Sequence, residues 1–199
     1  MASSRHPLPP PEVGSRLRAQ FGEDVLSFED QHGHSVVAMT PSRYRELVTF
    51  LRNEPEFACD YCDFVSAVDF GDEGMEVVTH LFSTTHDHSV RVKVRLPAHE
   101  TVLPTISDIY PTANWHEREI YDMMGLRFNG HPDLRRILMW EGYPYFPLRK
   151  EFPLEGLPSD MPDVAFSSAA PLEGGPFVTS PSTATAKDRE PRARRPMDT

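Results

Sequence analysis

The 199-residue sequence predicts an α+β fold: an α-β-β-α-β-β-β sheet domain with its helices on one face, then a third helix, an extended proline- and aromatic-rich arm, and a disordered tail. Three observations lead there. Adjacent strand-like segments are separated by single helical ones, whereas a doubly wound parallel sheet would put a helix after every strand. Residues 88–96 alternate Val90, Val92, Val94 and Leu96 with Arg91, Lys93 and Arg95, the period of a half-exposed strand with a basic outer side. Residues 126–158 hold Pro132, Pro144, Pro147, Pro153 and Pro158 among Leu134, Ile137, Leu138, Trp140, Tyr143, Tyr145, Phe146 and Phe152. Proline forbids one regular element there, and the apolar side chains are too many for a free linker, so the stretch reads as an arm lying on a surface.

The elements follow in order. Residues 1–11 are polar and proline-rich and read as disordered. Val13, Leu17 and Phe21 recur at helical spacing, and Gly22 is a stop. Residues 24–29 and 34–39 are strands joined by a turn, which makes a hairpin. Thr40-Pro41 is a helix start, a capping residue followed by proline. Tyr44, Leu47, Val48 and Leu51 share one face of that helix, which ends near Asn53 ahead of Pro55. Residues 63–70 are apolar on both sides, the pattern of a central strand, and residues 75–83 form the next strand. A third helix spans about 113–124, with Asn114 and Glu117 spaced as a capping box and Gly125 as the C-terminal stop. The α+β domain thus runs 12–125, the arm 126–160 and the tail 161–199. The tail is small, polar and proline-dotted, with Arg192, Arg194 and Arg195 near its end.

Composition excludes several classes of function. Hydrophobic residues at 39% suffice for one core, and 20 prolines imply that part of the chain is unpacked. A net charge of -10 argues against nucleic acid as the main partner. Cys59 and Cys62, the only cysteines, are too few for a disulfide scaffold and fit a reducing compartment. No apolar run reaches the ~18–20 residues that span a bilayer, and Met1 to Pro11 has no apolar signal core. A cytoplasmic location is expected, with membrane association only through partners.

Candidate sites reduce to one. Cys59-Asp60-Tyr61-Cys62 runs into a strand rather than a helix N-terminus, and no second pair completes a zinc set. The structural reading is preferred there. His86-Asp87-His88 sits at a hairpin tip and reads as a solvated turn. His116-Glu117 begins like a zinc-protease helix, but the second ligand position holds Ile120. What remains is charge. Glu117, Arg118, Glu119 and Asp122 crowd onto a helix with Trp115, Ile120, Tyr121, Met123 and Met124, and His131, Asp133, Arg135 and Arg136 follow. Arg118 and Asp122 are i, i+4 neighbours that can pair. Apolar residues around the helix leave no wide polar side, so the charges form either an internal salt-bridge network or a docking surface.

Residues 111–154 resemble the C-terminal signature of the 30 kDa subunit family of respiratory complex I. The resemblance rests on Glu117, Arg118, Glu119, Asp122, Met123, Met124, His131, Arg135, Ile137 and Leu138, and on Pro147-Leu148-Arg149-Lys150-Glu151-Phe152-Pro153. Glu151 stands where the family carries Asp, and Trp140-Glu141-Gly142-Tyr143 is a looser match. The resemblance implies a structural subunit of the proton-translocating NADH:quinone oxidoreductase, with no catalytic, metal or cofactor-binding residue in this chain. The FMN, iron–sulfur clusters, NAD and quinone would belong to the whole complex. The implied partners are other peripheral-arm subunits, chiefly the 49 kDa-type quinone-site subunit, on the cytoplasmic side of a bacterial inner membrane. Glu117, Arg118, Glu119, Tyr121, Asp122, His131, Asp133, Arg135, Arg136, Arg149 and Lys150 are then expected to fix the arm to the domain or to dock partners. A homologous subunit of a membrane-bound hydrogenase is the alternative. A stand-alone hydrolase with Glu117 or Glu119 as general base is another, and an adaptor outside bioenergetics a third.

Overall fold

The structure is a computed structural model and describes residues 10–140 and 142–153. The expectations for residues 1–9, for the end of the arm and for the 161–199 tail lie outside the described residues. The element order is α1 (Pro10–Phe21), β1 (Val25–Gln31), β2 (His34–Met39), α2 (Tyr44–Asn53), β3 (Tyr61–Asp69), β4 (Met75–Ser83), β5 (His88–Leu96), β6 (Val102–Pro104), α3 (Ala113–Met124) and β7 (Arg127–Asn129). The expected α+β order is therefore present, with two additions. β6 and β7 form a small parallel sheet around α3. Three-residue strands carry too little alternation to be read from sequence. Pro10 and Pro11, read as disordered, instead open α1, where proline's missing N–H costs nothing.

The five-stranded sheet runs β1-β2-β5-β4-β3. All its pairs are antiparallel except β2 with β5. The β1–β2 turn is His32-Gly33, both at positive φ (56° and 84°), which matches the strand twist. Register places Phe28, Val37, Val92, Thr79 and Val65 in one row across all five strands. This is the core face. Leu17 of α1 and Tyr44, Leu47, Val48 and Leu51 of α2 are wholly buried in the same core. On the other face Arg91, Lys93 and Arg95 stay partly exposed, as their alternation predicts, and Lys93 and Arg95 pair with Glu76 and Glu73.

Tyr44 ties α2 to the sheet through a polar bond inside the core. Its hydroxyl and that of Thr79 lie 2.7 Å apart, and both residues are fully buried. Removing one partner leaves the other unsatisfied. Tyr44→Phe is expected to lower unfolding free energy by about 1–3 kcal/mol, read as a shift of the urea midpoint. An unchanged midpoint would mean that the bond is replaced by water.

β3 corrects one expectation. It is an edge strand, not a central one. Its apolar pattern has another cause: α3 and the segment leading into it cover that edge. The Val65 N–H donates to His116 Nδ1 at 3.3 Å, and the Thr112 hydroxyl donates to the Cys62 carbonyl at 3.3 Å. The Tyr110 hydroxyl donates to the Cys59 carbonyl just upstream. These side chains satisfy backbone groups that an edge strand would otherwise offer to another chain.

Two cap predictions divide. Gly125 ends α3 in the left-handed conformation, φ 77°, as expected. An added Cβ there would come within 2.8 Å of the Phe146 ring, so glycine also admits the returning arm. The Asn114–Glu117 capping box is not formed; the N-cap is Thr112, without a side-chain cap bond. Glu117 is drawn away into the core, where better donors wait.

Candidate functional site

The charged helix is not a solvated face. Glu117 and Asp122 are each 0% exposed, and Arg118 is 7% exposed. Glu119 is the exposed acid of the group, and Tyr121 is half-buried. α3 therefore turns two carboxylates inward, and each ties down a different stretch of chain.

Glu117 holds the loop before α3. Its Oε1 accepts the Ile106 N–H at 2.8 Å, and its Oε2 accepts the Thr105 hydroxyl. His131 Nε2 lies 3.9 Å from Oε2 with its side chain fully buried. His131 Nδ1 accepts the Asp133 N–H at 3.0 Å, so the ring proton belongs on Nε2, which reaches the Asn114 carbonyl at 3.2 Å. Burial pushes the Glu117 carboxyl up to about 7, against the opposing pull of the Thr105 hydroxyl and the Ile106 N–H. Arg45, the nearest cation in effect, is committed to Asp108 and the Thr105 carbonyl.

Asp122 holds the arm. Its Oδ2 accepts three successive backbone N–H groups, Ile137 at 3.0 Å, Leu138 at 2.6 Å and Met139 at 2.8 Å. Its Oδ1 accepts from Arg136 at 2.6 Å. The same Arg136 nitrogen donates to the Asp122 carbonyl, and its other terminal nitrogen to the Tyr145 carbonyl. Burial works against the Asp122 charge, but the donors from Met139, Arg136, Leu138 and Ile137 outweigh it. The carboxyl sits below its ordinary range. The Arg118–Asp122 pair that the i, i+4 spacing allows is therefore not made. A carboxylate with three converging N–H groups and a guanidinium has no lone pair left for a helical neighbour.

The remaining sequence-selected residues fall into place around these two. Arg118 donates from Nε to the Arg135 carbonyl at 3.2 Å and lies over the Trp115 ring. Exposed Arg135 bonds Asp133 at 2.9 Å. Arg149 donates to the Met124 carbonyl at 2.7 Å, at the C-terminus of α3, and lies over the Phe146 ring. The Lys150 N–H reaches Asp69 on β3 at 2.7 Å. The arm is thus clamped to α3 at residues 136–139 and 149, and to the sheet edge at 150. Sequence reasoning missed Thr105, whose hydroxyl no motif marks, and the Ile106 and 137–139 amides, which every residue carries.

The rejected motifs also have places. Cys59 and Cys62 are free, buried thiols, each pushed up to about 12 by burial. His86 and His88 stack 5.9 Å apart, and His88, expected to be solvated, is buried against Phe57. Among the described residues no group of three or more His, Cys, Asp or Glu could hold a metal ion.

Residues 37–158 match the family described as respiratory-chain NADH dehydrogenase, 30 Kd subunit. A NADH-quinone oxidoreductase subunit of Rhizobium meliloti (strain 1021) is 44% identical over 140 residues, covering 68% of this chain and 75% of the relative. The corresponding NADH-quinone oxidoreductase subunit of Ruegeria pomeroyi is 36% identical over 147 residues, 73% of each chain. Among solved structures, the trypsin-resistant fragment of Nqo5 superposes with a TM-score of 0.53 at 26% identity, covering 61% of this chain and 98% of the fragment. A chain of the archaeal membrane-bound sulfane sulfur reductase shares the fold, with a TM-score of 0.62 at 22% identity, covering 72% of this chain and 85% of that one.

Proposed function

This chain belongs to the 30 kDa subunit family of respiratory-chain NADH dehydrogenase, and from that premise we propose that it is a structural subunit of the peripheral arm of a proton-translocating NADH:quinone oxidoreductase. It is a subunit of a respiratory complex by family. Its role is to hold neighbouring subunits in place while electrons pass from NADH through flavin and iron–sulfur clusters to quinone. Its main neighbour is the 49 kDa-type quinone-site subunit, and it carries no redox group or catalytic residue of its own. It sits on the cytoplasmic side of the bacterial inner membrane and is held there by the complex. Among the described residues no helix is long and apolar enough to cross a membrane.

The observation that carries the reading is the use made of the charged motif. Glu117 and Asp122 spend their oxygens on the chain's own backbone and side chains, and neither is exposed. Such carboxylates brace a joint. The hydrolase reading draws on the same Glu117, whose raised carboxyl is what a general base needs. A base must also reach its substrate, and Glu117 is sealed. The hydrogenase-type alternative would leave the structural role unchanged; NADH-quinone oxidoreductase relatives at 36% and 44% identity favour NADH.

Affinity purification from solubilised membranes tests this. The chain is expected to bring down flavin- and cluster-bearing subunits with NADH-oxidising activity. Recovery of the chain alone from the soluble fraction would overturn the proposal, and recovery with a hydrogenase would transfer it to the alternative.

A further inference from the structure

We propose that Trp115 and Arg118 of α3, with the neighbouring 134–140 segment, form a docking surface for an acidic side chain set among apolar residues on another subunit. The inference rests on the subunit reading above and adds to it a place and a chemistry. Arg118 carries it. Its residue is 7% exposed, yet none of the ion pairs among the described residues includes it. Its two contacts are neutral, the Arg135 carbonyl at 3.2 Å and the Trp115 ring with its centroid 5.0 Å away. A guanidinium taken out of water without a counter-ion is unfavourable, and its planar fork suits a carboxylate.

The surroundings fit the same occupant. Trp115 and Arg118 lie three residues apart on one side of α3. Trp115, the most exposed of the large apolar side chains among the described residues at 63%, is on α3, and Leu138, 57% exposed, is on the neighbouring segment. Between α3 and the arm is a cavity of about 340 Å³ lined by Tyr121, Leu134, Arg135, Arg136 and Gly142. Arg136 is neutralised by Asp122 and Arg135 by Asp133, so Arg118 holds the unmatched charge. Exposed Trp115 and Arg135 beside half-buried Tyr121 are the residue types of an interface hot spot, and a carboxylate would supply the counter-charge that Arg118 lacks.

The test uses the assembled complex in its own membranes. A photo-crosslinking residue at position 115 is expected to give an adduct with another subunit, on a peptide bearing Asp or Glu. Arg118→Glu is expected to cut retention of the chain on the solubilised complex at least tenfold. A basic residue at the crosslinked acid is expected to restore it, which a purely structural defect would not allow. Should Arg118→Glu fail to fold, Trp115→Glu, at an exposed position, is expected to lower retention likewise. Wild-type retention of either folded variant overturns the inference, as does an adduct only with lipid or a second copy of this chain. Those results leave the subunit reading intact. Failure of the wild-type chain to co-purify at all sinks that reading instead.

Discussion

Asp122→Ala is expected to release the arm from α3 and to lower unfolding free energy by about 3–5 kcal/mol, the range for breaking a buried ion pair. The substitution strands Arg136, which is half-buried beside Tyr143 and Phe146. It also strands the N–H groups of Ile137, Leu138 and Met139. Asp122→Asn should cost less than Ala, because its carbonyl can still accept from the backbone amides, although its amide nitrogen then meets the Arg136 guanidinium donor to donor. Urea denaturation of the full chain gives the magnitude. Hydrogen exchange gives the place: amides 137–139 should exchange faster, while those of β4 and β5 keep their order of protection. If both variants unfold at the wild-type midpoint, the arm is held by its aromatic contacts and the carboxylate is dispensable. The stability that Asp122 contributes is present above the ordinary carboxylate pKa of 3.8, and it is lost as pH falls through the depressed folded value.

Glu117 should give stability the opposite pH slope. Its carboxyl is raised from 4.5 to about 7 in the folded chain. Between those values the folded state keeps a proton that the unfolded chain has released. Stability from this group is therefore full below about pH 4.5 and falls as pH rises towards 7. At about 1.4 kcal/mol for each pH unit, the fall is at most about 3 kcal/mol. Glu117→Gln should remove the slope. A glutamine can still accept the Ile106 N–H and can donate to the Thr105 oxygen, so the variant is expected to be at least as stable as wild type at pH 8. Unfolding free energies measured from pH 4.5 to 8 decide the matter: parallel curves for the two proteins would mean that Glu117 is ionised in the fold. The sealed position also explains why a raised carboxylate need not signal catalysis. The same burial that shifts it denies it a substrate.

Much of the fold was legible because its signals are local. The period-2 alternation of residues 88–96 sets β5 to the residue, since a half-covered strand repeats its environment every second position, and the strand read over 75–83 is β4 with the same bounds. Gly125 marks the end of α3 because only glycine enters the left-handed region there without strain. Residues that failed did so through long-range contacts. β3 looked central because α3, some 50 residues later, covers its edge. Asn114 and Glu117 had capping-box spacing, but the Thr105 hydroxyl and the Ile106 N–H offered Glu117 a buried site that outcompeted the helix terminus.

The charged motif divides in the same way. The sequence alone grouped Glu117, Arg118, Glu119, Asp122, His131, Asp133, Arg135 and Arg136, and its apolar neighbours argued against a solvated face; Glu119, Asp133 and Arg135 are nevertheless exposed. It did not determine their partners. Arg118 and Asp122 sit one helical turn apart and were free to pair; the tertiary structure gives Asp122 to Arg136 and the 137–139 amides, and leaves Arg118 on a carbonyl and an indole. The physical reason is that backbone amides are anonymous in a sequence. Where they converge depends on how the arm returns over α3, and a buried carboxylate goes to the site with the most donors.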